Sequence, residues 1–284
     1  MGEAFFIPDG DGRFIPTELT RGPWDPRAQH AGPPAALLGW AVERRCERTG
    51  MRVGRATFEI LRPVPIAPLE LTTELLGGGR SIERVSASLA SGGAEVMRVA
   101  AVLIRTARLD LPDGEPPSWP LAAPAGPESG SPLPFFPTGS DAGYHTAMEW
   151  RFVEGAFLEP GPATVWLRMR HPLLPGEEPS PLQRVLIAAD SANGVSTVLD
   201  WRRWLFINAD LTVHLHRPPA GEWICLQART TVDGAGIGLA ESVVHDRQGP
   251  VARGLQTLFV AERVARPGEP GAAPPNAGSP SAAP

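Results

Sequence analysis

A repeat limits the fold of this chain more than any other feature. At a constant spacing of 155 residues, Thr57 is matched by Thr212, Arg62-Pro63 by Arg217-Pro218, Gly79 by Gly234 and Leu103 by Leu258. Both copies read as a helical segment followed by four strand-like runs. In the first, Pro33 to Arg48 sets Ala36, Leu37, Trp40 and Ala41 at helical spacing, with Gly50 as the stop. Strands are expected over 54–61, 69–76, 82–90 and 95–105, parted by Gly77-Gly78-Gly79 and Ser91-Gly92-Gly93. In the second copy, Ser180 is placed to cap one long helix from Pro181 to about Leu199, with proline at the first helical position. Strands are expected there over 206–216, 223–231, 237–245 and 251–260, and additional ones over 13–19, 147–152 and 163–170. Two copies of a helix followed by an antiparallel meander put the chain in the α+β class.

Proline and glycine, 33 and 31 residues, mark where the copies are joined. The repeat predicts an N-terminal module over 1–108, a Pro-rich linker over 109–142 that runs across the surface, and a C-terminal module over 143–264. The tail 265–284, nearly devoid of large apolar side chains, is expected to be disordered. The 284 residues contain no run near the ~20 apolar residues a membrane span requires, and no basic, apolar leader, so a cytoplasmic protein is expected. Two cysteines, Cys46 and Cys225, are too few for a disulfide framework or a four-cysteine metal site. A net charge of −5 argues against a polyanion-binding surface.

Several short motifs fit one family in order and spacing. The first copy carries His30-Ala31-Gly32-Pro33-Pro34-Ala35-Ala36-Leu37-Leu38, Ile60-Leu61-Arg62-Pro63 and Gly79-Arg80-Ser81-Ile82-Glu83-Arg84-Val85; the second carries Ala189-Asp190, His216-Arg217-Pro218 and Arg253-Gly254-Leu255-Gln256. In these the chain resembles the double-hotdog acyl-CoA thioesterases of the thioesterase II type, over about residues 10–262. The resemblance implies two tandem hotdog modules, each a long helix wrapped by a curved antiparallel sheet. It also implies hydrolysis of an acyl-CoA or acyl-carrier thioester by direct attack of water. The water is held in that family by a helix aspartate, a strand hydroxyl and a glutamine on the last strand. By position these fall on Asp190, Asn208 and Gln256, with Asn208 standing where the family has threonine or serine.

The residue chemistry points the same way. Asp190 lies among Leu186, Ile187, Asn193 and Gly194, and a carboxylate on so apolar a stripe needs partners or a task. At the repeat spacing its counterpart is Ala35, and that of Gln256 is Ala101, so one acidic site serves both copies. Asparagine at 208 can hold water through its amide. The turn Gln29-His30-Ala31-Gly32 enters the first helix and is expected to supply backbone N–H groups for an oxyanion, with Gly32 permitting close approach and His30 adding a donor or base. These two are the expected substrate-binding residues.

Other chemistries lack their signatures. There is no G-x-S-x-G, no phosphate-binding or dinucleotide loop, no H-E-x-x-H and no C-x-x-C, so no cofactor or metal is expected. His214 and His216 share a strand face without a third ligand nearby. Trp201, Arg202, Arg203 and Trp204 read either as a nucleotide-stacking cluster or, more simply, as a packed helix-to-strand connection. Two further readings stay open: a hotdog enzyme that hydrates or cyclises a thioester-bound chain, and a module that binds acyl thioesters without hydrolysis. Exposed sheet edges suggest a homo-oligomer.

Overall fold

The computed structural model describes residues 3–111 and 123–263; the expected tail 265–284 and the central part of the Pro-rich linker lie outside the described residues. The first module begins with β1 (Phe6–Pro8) and β2 (Arg13–Pro16), followed by α1 (Gly32–Thr49), β3 (Met51–Ile60), β4 (Leu69–Gly78), β5 (Ile82–Ser91) and β6 (Ala94–Arg105). The second comprises α2 (Tyr144–Ala147), β7 (Met148–Ala156), β8 (Glu159–Met169), α3 (Pro181–Ala189), α4 (Ala192–Val195), β9 (Trp204–Asn208), β10 (Asp210–Leu215), β11 (Ile224–Val232), β12 (Ile237–Asp246) and β13 (Gly249–Glu262). All strands join one antiparallel sheet in the order β1-β2-β4-β5-β6-β3-β10-β13-β12-β11-β8-β7, with β9 alongside β13. This is the double hotdog: a continuous curved sheet whose two halves each enclose a helix.

The repeat becomes a local two-fold at the seam. β3 pairs antiparallel with β10, and the pair at its centre is Thr57 against Thr212, whose hydroxyls lie 3.3 Å apart. This pair lies on the axis, which relates the flanking pair Phe58–Leu211 to Val213–Ala56. The register also slips at Gly54 in β3, and 155 residues later Ala209 interrupts β9 and β10, so the expected single strand 206–216 is two. An extra residue in one strand bends it, which curves the sheet around its helix.

α1 ends as expected, on Gly50 in the left-handed conformation. It buries Ala35, Ala36, Leu37, Leu38, Ala41 and Val42 and crosses α3 closely. The second helix departs from expectation. Instead of running to Leu199 it stops at Ala189, and a separate turn, α4, follows. The sequence Asp190-Ser191-Ala192-Asn193-Gly194 concentrates side chains that compete for backbone hydrogen bonds, together with a glycine, and the Ser191 N–H turns back to the Ala188 carbonyl. Asp190 is thus at a helix end and not in mid-helix. The starts of α1 and α3 are 149 residues apart, so Asp190 also aligns with Ala41 when counted from the helix starts, again an alanine.

The linker does more than cross the surface. Trp166 Nε1–H donates to the Ala125 carbonyl (2.7 Å), Pro127 is buried, and Phe135 and Phe136 pack into rings from the second module. Aromatic packing by Phe135 and Phe136 anchors a segment whose proline-rich backbone has few donors.

Candidate active site

All five residues singled out from the sequence meet at the seam between the modules. Asp190, 3% exposed, ends α3 opposite the start of α1. Its Oδ1 accepts from Asn208 Nδ2–H (3.0 Å) and from Gln256 Nε2–H (3.1 Å), while its Oδ2 lies 3.1 Å from His30 Nδ1. β9 presents Asn208 because its inward row runs through Phe206, and β13 presents Gln256 in the inward row with Leu258 and Val260.

Gln256 owes its place to the helix break. Interrupting the helix frees the Asp190 carbonyl and the Asn193 N–H, and one amide satisfies both: Nε2–H donates to Asp190 O (3.1 Å) and Oε1 accepts from Asn193 N (3.2 Å). Its hydrogen-bonding capacity is largely spent on holding the carboxylate in position. Asn208 is less committed; its Oδ1 has no protein partner among the described residues and the side chain is half-buried.

His30 Nδ1 faces two partners. The Gly32 N–H donates to it at 3.1 Å, and Asp190 Oδ2 lies equally close on another side. A single ring nitrogen serves one of these at a time: as an acceptor from Gly32, or, protonated, as a donor to Asp190. Burial pushes the His30 pKa below its ordinary value, opposed by the nearby Asp190 charge, so the neutral ring prevails near neutral pH.

Gly32 has a structural reason as well. A Cβ there would stand 2.4 Å from the Ile187 carbonyl oxygen, so only glycine lets α1 start against the end of α3. The supply of N–H donors is smaller than the sequence suggested. Pro33 and Pro34 have none, Gly32 is engaged by His30, Ala35 N bonds Ala31 O, and His30 N bonds Thr20 O. The Ala31 N–H is the donor of this turn left without a partner among the described residues.

Tyr144 escaped the sequence reading. It is the single tyrosine of the chain, and its ring stacks on His30 at 3.8 Å and 10°. Its O–H donates to the Ile187 carbonyl (2.7 Å) and accepts from Ser191 Oγ–H (2.9 Å), so it pins both the imidazole and the end of α3. Burial pushes the phenol's pKa up, keeping it a neutral donor. A lone tyrosine just past the linker was the available signal, and nothing local tied it to His30.

Comparison with known proteins agrees with this architecture. A model of the acyl-CoA thioesterase N-terminal domain matches residues 20–104, and a model of the acyl-CoA thioesterase C-terminal domain matches residues 127–260. The chain belongs to the acyl-CoA thioesterase family. Among solved structures, the acyl-CoA thioesterase II TesB2 of Mycobacterium marinum superposes with a TM-score of 0.62 at 18% identity, covering 91% of this chain and 96% of that one. The tesB protein of Mycobacterium avium subspecies paratuberculosis gives 0.64 at 16%, covering 90% and 95%. A conserved hot dog fold protein of unknown function from Alicyclobacillus acidocaldarius gives 0.69 at 14%, covering 90% and 96%. At these identities the superpositions speak to the fold. A search of curated proteins finds no match. No helix among the described residues of this thioesterase-family chain is long and apolar enough to cross a membrane.

Proposed function

We propose that the chain hydrolyses acyl-CoA or acyl-carrier thioesters to free acid and thiol by direct attack of water, with no acyl-enzyme. One observation carries this reading: a buried carboxylate at the seam, held by two amide side chains, with the His30 ring 3.1 Å from its second oxygen. Asp190 takes one proton from a water that lies beside it, while the water's other O–H donates to Asn208 Oδ1. Gln256 fixes the carboxylate's direction, and the water oxygen attacks the thioester carbonyl. The oxyanion that forms is met by the Ala31 N–H at the start of α1, where the helix dipole favours negative charge. Collapse expels the thiolate, which takes the proton from Asp190. His30 and Gly32 shape the substrate side of the site.

An asparagine at 208 accepts from water as a hydroxyl would, and the family membership supports the thioester as substrate. Association of the chain with itself belongs to the same reading. Its support is an exposed apolar row on the outer sheet face, where Ile207, Phe259 and Ile237 are neighbours in register.

The test is thiol release from a panel of acyl-CoAs by wild type and by Asp190→Asn. The amide retains the volume and the acceptor oxygen but is no base. Thiol release should fall by ~10²-fold or more with little change in thermal stability. Release within a few-fold of wild type would refute the assignment of Asp190 as base. Tight binding of acyl-CoA with no release by wild type would leave a binding module.

A further inference from the structure

In the cluster Trp201, Arg202, Arg203 and Trp204 the two indoles are half-buried with one side against the core, and none of the four residues reaches the seam carboxylate. The cluster forms the connection into β9, whose first residue, Trp204, precedes Asn208 by four residues, or ~13 Å of strand. Trp24 approaches it from the other module, on the loop that leads to His30. Its ring lies 5.3 Å from Phe136 of the linker, which in turn lies 5.4 Å from Trp201. Two of the three segments that bring side chains to Asp190, the His30 loop and the entry to β9, thus carry an indole to one common rim.

Three guanidinium groups cover these rings. Arg202 Cζ stands 5.3 Å from the Trp201 ring, Arg203 Cζ 5.7 Å from Trp204 and Arg263 Cζ 5.6 Å from Trp24. Arg203 is paired with Glu262 at 2.9 Å. Arg263 Nε–H donates to the carbonyls of Trp201 (2.9 Å) and Trp204 (3.3 Å), which leaves the outer nitrogens of its fork unpartnered among the described residues. Arg202 has no carboxylate partner among them either; Asp200 is engaged by its backbone N–H (2.9 Å) and Asp25 by Arg27. Trp24 is 42% exposed. An open hollow of ≈ 690 Å³ adjoins the same connection, bounded by Val198, Leu199 and Trp204.

An exposed indole at Trp24 beside half-buried Trp201, with the guanidinium forks of Arg202 and Arg263 free of carboxylates, suits a purine carrying phosphates: the base stacks on a ring or a guanidinium plane, and the forks donate paired N–H groups to phosphate oxygens. We propose that Trp24, Trp201, Arg202 and Arg263 form the subsite for the adenosine 3′,5′-bisphosphate end of a coenzyme A thioester. Trp204, next to this rim, is ~13 Å of strand from Asn208, a span of the order that an extended pantetheine arm bridges. The inference rests on the thioesterase reading and chooses coenzyme A over a carrier protein as the thiol.

Octanoyl-CoA and octanoyl-N-acetylcysteamine test it, because the second lacks the nucleotide. Adenosine 3′,5′-bisphosphate should inhibit octanoyl-CoA turnover competitively. In Arg202→Glu and Trp24→Ala, the ratio of kcat/KM for the coenzyme A substrate to that for the truncated one should fall about tenfold, through KM. A ratio within twofold of wild type in both variants overturns the subsite, as does equal use of the two substrates by wild type or turnover of an acyl carrier protein without turnover of octanoyl-CoA. If no thioester is hydrolysed, the thioesterase reading fails separately; calorimetric binding of adenosine 3′,5′-bisphosphate that Arg202→Glu weakens about tenfold then still supports the subsite, and no binding overturns it.

Discussion

Gln256→Leu separates holding the carboxylate from acting on substrate. Leucine nearly conserves volume but removes three hydrogen bonds at once, to Asp190 O, Asp190 Oδ1 and Asn193 N. Two backbone groups at a buried helix break then lose their partner, each costing ~1–3 kcal/mol, and a buried carboxylate loses one of its donors. Better burial of leucine offsets about 1 kcal/mol, leaving a destabilisation of ~4 kcal/mol. At ~2–3 °C per kcal/mol for a chain of this size, the unfolding midpoint should drop by about 10 °C. Thiol release should fall with it, because Asp190 is no longer aimed. Differential scanning calorimetry and the thiol assay on one preparation give both numbers. An unfolding midpoint within about 2 °C of wild type, with activity lost, would refute the reasoning: Gln256 would then act on substrate and the break would hold without it.

Two further outcomes follow from the packing. Gly32→Ala places a Cβ 2.4 Å from a carbonyl oxygen and should cost ~1–3 kcal/mol in thermal unfolding and at least tenfold in kcat, whereas Gly39→Ala, which meets the movable end of Leu186 at the same distance, should be milder; equal effects would remove the special role of the α1–α3 approach. His245 is fully buried with neither ring nitrogen partnered among the described residues, and burial, with the charges of Arg253 and Arg217, pushes its pKa down to about 4. The unfolded chain binds that proton near the ordinary ~6.5 and the folded chain only near 4, so stability is full above ~6.5 and falls by on the order of 3 kcal/mol as pH drops to 4. Urea unfolding from pH 4 to 7 should show a shallower loss in His245→Leu than in wild type, and parallel curves would contradict the neutral buried ring.

Much of the fold was legible because the signals are local. Gly50, the glycine turns and the strand periodicity set the first module's elements to within a few residues, and the motif order led to the double hotdog. The helix was misread at Asp190 because its apolar spacing continues past the residue while the backbone does not. Apolar spacing records which face is buried, and the same face stays buried through α4. Tyr144 and the ring packing of Phe136 were illegible because their partners lie in other modules.

The sequence by itself determined the duplication, the order of elements in each copy and which copy kept the carboxylate, since spacing and residue type are properties of the chain alone. Tertiary structure decided that Thr57 meets Thr212, that α1 starts against the end of α3, and that His30 therefore stands beside Asp190. These are contacts between segments far apart in sequence. They are set by the register of one strand pair and by the volume of one missing side chain at the crossing of two helices, and neither quantity leaves a periodic trace in the sequence.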